Sequence, residues 1–218
     1  MTEKNAEAIV AGGSPIRSAA VVDEHLVERR VRSQSVYEGN FLKVRRDEVA
    51  LPGDLRATRE YIVHPGAVMI VPIADDGRLV VERQHRYPLD MVLLEFPAGK
   101  LDPNETTLAC AVRELAEETG YRAREWAHAG RMHNAPAYST EFIEIWFARG
   151  LVAGAQSLDE GEFVEVRLME AAALFELAAR GELTDAKSMV ALLRLQQWRD
   201  GAWTPDWQPV PQPASLPG

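Results

Sequence analysis

One stretch constrains this chain more than any other: Gly99, five residues, Glu105, seven residues, then Arg113-Glu114-Leu115-Ala116-Glu117-Glu118-Thr119-Gly120-Tyr121. Glu114, Glu117 and Glu118 are spaced i, i+3 and i+4, so a helix sets all three on one face. Like charges at this spacing repel, and the face is costly unless a cation neutralises it. Glutamates on helices are usually solvated, and three alone would not make a site. Here the helix is also well delimited. Asp102-Pro103-Asn104 is turn chemistry, and Asn104 is the expected N-cap before Glu105. Leu108, Val112 and Leu115 form an apolar stripe, and Gly120 is the expected helix stop. Arg113 beside Glu114 can hold a carboxylate through a forked hydrogen bond. Oxygen ligands at this density suit Mg²⁺ or Mn²⁺.

Around this helix the pattern alternates between strands and helices. Residues 36–50 read as one strand, Pro52-Gly53-Asp54 as a turn, and Thr58 to His64 as a returning strand. Ala67 to Ile73 is a buried strand, turned at Asp75-Asp76-Gly77 into a strand over Arg78 to Gln84. Val92 to Phe96 reads as a strand, and Pro97-Ala98-Gly99 as a tight strand-to-helix loop whose backbone can approach a ligand. Further strands are expected near 126–132, 141–149 and 162–168, and helices at 170–180 and 185–198. Residues 1–30 are expected to be a flexible segment. The proline-rich end, 201–218, is expected to lack a fixed fold.

Composition excludes more than it identifies. The 218 residues suffice for one sizeable core plus an N-terminal element. No apolar run reaches a membrane span, and the start MTEKNAEAIV lacks a secretory apolar region. The lone cysteine, Cys110, rules out an internal disulfide framework and fits a reducing cytoplasm; among alanines, it reads as a small packed side chain. A net charge of −9 argues against non-specific nucleic-acid binding. It does not exclude a phosphorylated substrate, because metal ions can neutralise both sides.

The Gly99–Tyr121 string resembles the Nudix box of the Nudix hydrolases and matches every fixed position of that pattern without a gap. The resemblance implies an α+β fold, a mixed β-sheet sandwiched between helices (α/β/α), with an N-terminal antiparallel β extension. It implies divalent-metal-dependent hydrolysis of a nucleoside diphosphate linked to another moiety. On this basis residues 66–200 are the hydrolase domain and 31–65 a strand element that forms a dimer. Glu114, Glu117 and Glu118 are implied metal ligands, Arg113 orients a carboxylate, Gly99 permits the loop, and the Ala98 carbonyl also binds metal.

Three features resemble the ADP-ribose pyrophosphatase group within that family. These are the lead-in Glu95-Phe96-Pro97-Ala98-Gly99-Lys100-Leu101-Asp102, Pro136 sixteen residues beyond Gly120, and the acidic loop Asp159-Glu160-Gly161-Glu162-Phe163-Val164-Glu165-Val166. The group commonly has Pro-Gly where this chain has Pro136-Ala137. The resemblance implies Mg²⁺-dependent cleavage of ADP-ribose to AMP and ribose 5-phosphate, with Mn²⁺ as the alternative ion. Glu162 is the implied general base, with Glu160 as fallback; otherwise the loop is a solvated acidic turn. Arg86 aligns with a substrate-gripping position, which suits arginine by geometry and permanent charge; otherwise it is a surface arginine. Arg59 and Glu60 lie on the strand that often reaches a partner subunit's adenine site, implying a homodimer; an ordinary exposed strand position is the other reading. Glu82 is a weaker candidate for facing metal. His64, His85, His128 and His133 have no ligand spacing, and Trp198 and Trp203 read as packing residues. Two rival readings remain: a hydrolase of GDP-mannose or a related nucleoside diphosphate sugar, and a sensor that binds a nucleotide without cleaving it.

Overall fold

The computed structural model describes residues 23–53 and 55–210. A short 3-10 turn, Glu24–Leu26, leads into an antiparallel sheet of β1 (Arg29–Glu38), β2 (Lys43–Ala50) and β3 (Arg56–Ile62). Then come β4 (Ala67–Ile73), β5 (Leu79–Arg86), β6 (Met91–Glu95), β7 (Ala98–Lys100) and helix α1 (Thr107–Thr119). The chain continues through β8 (Tyr121–Arg122), β9 (Glu125–Met132), β10 (Ile143–Arg149), β11 (Val152–Ala153) and β12 (Val164–Met169). It closes with α2 (Ala171–Ala179), α3 (Ala186–Arg199) and β13 (Gln208–Pro209).

The main sheet runs β12-β5-β4-β10-β9-β13, with β6 on β5 and β7 on β4. The β4–β10 pair is parallel and the others are antiparallel, so the sheet is mixed as expected. Every residue of β4 from Ala67 to Pro72 is buried, as a central strand covered on both faces requires. Its alternation divides the core. Met69 and Val71 join Phe147, Leu174, Leu192 and Leu195 on one side. Val68 and Ile70 join Cys110, Ala111 and Leu115 of α1 on the other. This is the expected helix–sheet–helix sandwich.

β4 and β5 pair only at Ile73–Leu79 and then diverge. β6 continues the ladder on β5 from Glu82–Glu95 to Arg86–Met91, while β7 pairs with the start of β4, Ala67–Lys100 to Met69–Ala98. The divergence leaves room for a cleft whose walls are these strand ends and α1.

Several expectations change. Residues 36–50 are parts of two strands: β1 ends at Glu38, and the Gly39 N–H donates to the Leu42 carbonyl at 2.8 Å to turn the chain into β2. β1 also begins at Arg29, inside the segment expected to be flexible; residues 1–22 lie outside the described residues, as does Asp54 of the expected turn. Pro97-Ala98-Gly99 is not a free loop, because Ala98–Lys100 joins the sheet. Asn104 does not cap α1. It takes a left-handed conformation (φ 65°), which asparagine tolerates, and Thr106 Oγ1 accepts the Ala109 N–H at 3.2 Å in its place. Gly120 ends the helix at φ 74° as expected.

Within the proline-rich end, residues 201–210 are described and hold a fixed place against the domain. Gln208–Pro209 pairs with Glu125–Trp126. Trp203 packs against Phe147 at 5.6 Å between ring centroids, and Trp207 against Trp198 at 5.6 Å. Arg194 and Arg149 lie over Trp203 and Trp207, adding cation–π contacts. Residues 211–218 lie outside the described residues. Trp198 and Trp203 are packing residues, as expected.

Candidate active site

The diverging strands enclose a cleft of about 580 Å³. Ala98, Gly99, Glu114, Glu117, Glu118, Arg86 and Glu162 all line it, so seven sequence-expected positions from four segments meet in one place. Glu160 is exposed and does not line the cleft.

α1 carries its carboxylates at different depths because its apolar stripe sets its rotation. With Cys110, Ala111 and Leu115 facing the sheet, Glu118 is drawn in until it is 3% exposed. The Ala98 N–H donates to Glu118 Oε2 at 3.0 Å and ties the helix to β7. Burial pushes the Glu118 carboxyl strongly up, and the charges of Glu82, Glu114 and Glu162 add to that. Burial also raises Glu114, against the pull of Arg113.

Arg113 serves several carboxylates at once. Its Nε and Nη2 fork onto Glu105 at 3.0 and 2.9 Å, and Nη1 reaches Glu114 at 2.8 Å and Glu117 at 3.0 Å. The fork holds the Glu105 carboxyl far below its usual range, at about 2. Glu105 also accepts the Asp102 N–H at 3.1 Å, closing the loop before the helix. Cys110 is buried, and its thiol is pushed up by burial.

Gly99 lies directly beneath Glu114. A Cβ at residue 99 would stand 1.8 Å from Glu114 Cδ. Glycine is required there by close approach and not by an unusual φ.

Sequence reasoning gave Glu82 only a weak place at the site and gave Glu95, Asp185 and Lys187 no role. Glu82 and Glu95 pair across β5–β6 and are each 1% exposed. Glu95 is satisfied: Arg86 donates to both of its oxygens, at 2.8 and 2.7 Å, and Lys187 donates to Oε2. Burial pushes the Glu95 carboxyl up, but the hydrogen bonds and charges of Arg86 and Lys187 outweigh it, and the net direction is down. Glu82 goes the other way. Its Oε2 is buried without a hydrogen-bond partner among the described residues, and burial and the Glu95 charge push the carboxyl up. The signal for both was a lone acid ending or interrupting an apolar strand. Lys187 and Asp185 come from the start of α3 and carry no local signal.

Glu162 hangs from a turn in which its N–H donates to the Asp159 carbonyl at 3.0 Å; Gln84 Nε2 donates to Glu162 Oε1 at 3.4 Å. His64, given no role from spacing, also lines the cleft and meets Phe41 edge to face at 6.0 Å. Arg59 and Glu60 do not enter this cleft. Arg59 donates to Glu28 at 2.9 Å, and Arg46 donates to Glu60 at 2.7 Å, all at the surface. Both line a smaller pocket with the loop Pro136–Thr140.

Among the described residues, no three His, Cys, Asp or Glu side chains stand close enough as placed to hold a metal ion. The donor chemistry nevertheless fits a hard divalent cation. Glu82, Glu114 and Glu118 are carboxylates withdrawn from water, one with an orphaned oxygen, and buried negative charges of this kind need a cation.

Known proteins place this architecture. A NUDIX domain model matches residues 63–192, and a model of the nucleoside diphosphate sugar hydrolase N-terminal domain matches residues 28–62. The chain belongs to the Nudix hydrolase family, and its class is enzymes acting on nucleotide or nucleoside-diphosphate-linked substrates. It is 32% identical over 173 residues to an ADP-ribose pyrophosphatase of Bacillus subtilis (strain 168), a match spanning 78% of this chain and 94% of that protein. It is also 32% identical over 171 residues to a methanol dehydrogenase activator of Bacillus methanolicus, covering 78% and 92%. An ADP-ribose pyrophosphatase of Mycobacterium tuberculosis (strain ATCC 25618 / H37Rv) is 37% identical over 122 residues, covering 56% and 59%. The crystal structure of an ADP compounds hydrolase superposes with a TM-score of 0.72 at 26% identity, covering 80% of this chain and 95% of that one.

Proposed function

We propose that this protein hydrolyses the diphosphate of ADP-ribose to AMP and ribose 5-phosphate with Mg²⁺, for which Mn²⁺ can substitute. The observation that carries this reading is the convergence of Glu114, Glu117, Glu118 and Glu162 with Arg86 in one cleft. The similarity to two ADP-ribose pyrophosphatases supports the choice of substrate.

Glu114, Glu117 and Glu118, with the Ala98 carbonyl, would hold the cation; Glu82 is buried close enough for its charge to act on Glu118. A bound divalent ion supplies charge neutralisation for the phosphoryl oxygens and lowers the pKa of water. The protein's own groups do the rest. Arg113 fixes Glu114 and Glu117 through short charge-assisted bonds. Gly99 leaves room for Glu114. Arg86 presents guanidinium donors to substrate. Glu162 takes a proton from the attacking water as its oxygen bonds to phosphorus. The bridging P–O bond breaks, and its electron pair leaves with the departing phosphate. One water is consumed and two monophosphates result.

In this reading the enzyme works in the cytoplasm as a homodimer. β1 exposes Val31, Val36 and Tyr37, and Arg59 and Glu60 reach the partner's site. No helix among the described residues is long and apolar enough to cross a membrane. Light scattering should give twice the chain mass, and a monomer at working concentration would remove the shared site.

Product analysis with ADP-ribose, GDP-mannose and NADH, in Mg²⁺ and then in chelator, tests the function. Metal-dependent release of AMP from ADP-ribose is the expected result. Preference for GDP-mannose would move the assignment to another nucleoside diphosphate sugar. Tight ADP-ribose binding with no turnover of any compound would make the protein a sensor. For Glu162→Gln, kcat should fall about 10²–10⁴-fold, the range of a lost general base, while Mg²⁺ affinity stays within about threefold. Lost metal binding would instead make Glu162 a ligand.

A further inference from the structure

The charged groups of the cleft lining are mainly acidic. Glu114, Glu117, Glu118 and Glu162 line a region that must accept a diphosphate, itself an anion. Metal ions can mediate only part of that encounter. The lysines and arginine of the cleft are Arg86, Lys100 and Lys187; Lys100 lies over the Phe41 ring, while Arg86 and Lys187 stand together where β5, β6 and α3 meet.

Both cations are organised by one carboxylate. Arg86 and Glu95 are not cross-strand partners, since Arg86 sits opposite Met91 and Glu95 opposite Glu82. The arginine side chain runs back along the hairpin to fork onto Glu95 at 2.8 and 2.7 Å. Lys187 arrives from the first turn of α3 and binds Glu95 Oε2 and, at 3.0 Å, Asp185 Oδ1. Asp185 Oδ2 accepts the Ser188 N–H at 2.9 Å, and Ser188 Oγ accepts the Phe96 N–H at 3.0 Å. The start of α3 is thereby pinned to the residue after Glu95, and Lys187 has little freedom.

This group is neutral overall, with two carboxylates against two cations. Burying such charges rarely stabilises a fold more than apolar packing of equal volume. Its physical effect is preorganisation. Glu95 has both oxygens engaged, so it is neither a free base nor an open metal ligand. Arg86 and Lys187 keep N–H donors that these bonds do not use, and both residues line the cleft. Two fixed cations with free donors match a group with several anionic acceptor oxygens.

We propose that Lys187 binds a phosphoryl group of the diphosphate directly, beside Arg86, and that Glu95 is the positioning residue that holds both cations. This rests on the diphosphate-hydrolysis reading above and adds Lys187 and Glu95 to it.

Lys187→Gln in the full chain tests the assignment. With ADP-ribose and Mg²⁺, KM should rise about tenfold or more while kcat stays within about threefold, as for a contact made equally in ground and transition states. The inhibition constant of AMP or of ribose 5-phosphate should rise by a similar factor, and that of adenosine should stay within about twofold. Glu95→Gln should weaken the same phosphate, and the double variant should lose little more than either alone, because the residues act as one unit. Unchanged KM and product inhibition overturn the proposal. Equal weakening of adenosine also overturns it, because the pocket as a whole has then collapsed. Failure of the wild-type protein to hydrolyse ADP-ribose would count against the proposed function instead. In that case calorimetry with inorganic pyrophosphate and Mg²⁺ still decides the role of Lys187: undiminished binding to Lys187→Gln overturns it, and weakened binding sustains it.

Discussion

Glu118→Gln is expected to lose turnover by at least about two orders of magnitude, the scale of removing one charge-stabilising contact, while the metal-free protein keeps or gains thermal stability. Activity and stability move apart for one reason. Glu118 is buried beside Glu82, Glu114 and Glu162, and its one side-chain hydrogen bond among the described residues comes from the Ala98 N–H. A glutamine oxygen can accept that bond in the same shape. The substitution removes a buried like-charge burden and leaves no donor or acceptor newly stranded by loss of a partner. The feature that makes Glu118 costly to the empty protein is what makes it useful to a cation. Mg²⁺ binding to the native state should therefore raise the wild-type melting temperature, by the equivalent of about 2.7 kcal/mol at a hundredfold excess over Kd. The variant should show only a fraction of that rise. Thermal melts with and without Mg²⁺, beside initial rates, check both halves. Near-normal turnover, or a full Mg²⁺ shift, would take Glu118 out of the metal site.

How much of this was legible follows from how local each signal is. The α1 carboxylates could be read because a helix repeats within four residues, and β4 because burial on both faces writes an unbroken apolar run. Lys187 could not be read. Its partner Glu95 is 92 residues away, and no periodicity names a partner at that distance. β1 was under-read for a different reason. Nine of its ten residues are exposed, so no apolar alternation marks it, and its backbone ladder to β2 holds it. The C-terminal end misled through composition. Prolines suggested an unfolded tail, but Trp203 and Trp207 interlock with Phe147 and Trp198, and aromatic burial of that size outweighs a weak backbone preference. At the start of α1 two residues competed for one role. Asn104 and Thr106 are both good caps, and a left-handed turn at Asn104 left the cap to Thr106.

Gly99→Ala is expected to fold and to lose most of its activity. The added Cβ would meet Glu114 Cδ and Oε1 at 1.8 Å, far inside van der Waals contact, so one of the two must move. Gly99 has an ordinary φ, and the obstructed atoms are the far end of a flexible side chain. The cheap response is for Glu114 to swing away, which costs the fold about 1–2 kcal/mol. The site fares worse. Glu114 would break its 2.8 Å bond to Arg113 and carry its carboxylate away from Glu118. Misplacing a reacting constellation by about 1 Å can cost 10²-fold, and the displacement here must be at least that large. Turnover should fall about 10²-fold, with a melting temperature lowered by only a few degrees. If the damage acts through Glu114, it should be absent where Glu114 has already been disabled. On a Glu114→Gln background, Gly99→Ala should lower the residual rate by less than about threefold, the non-additivity expected of residues in contact. A full additional loss on that background would show that the alanine acts on the β7 backbone or on the Ala98 carbonyl, and the requirement for glycine would then belong to the strand rather than to the glutamate above it.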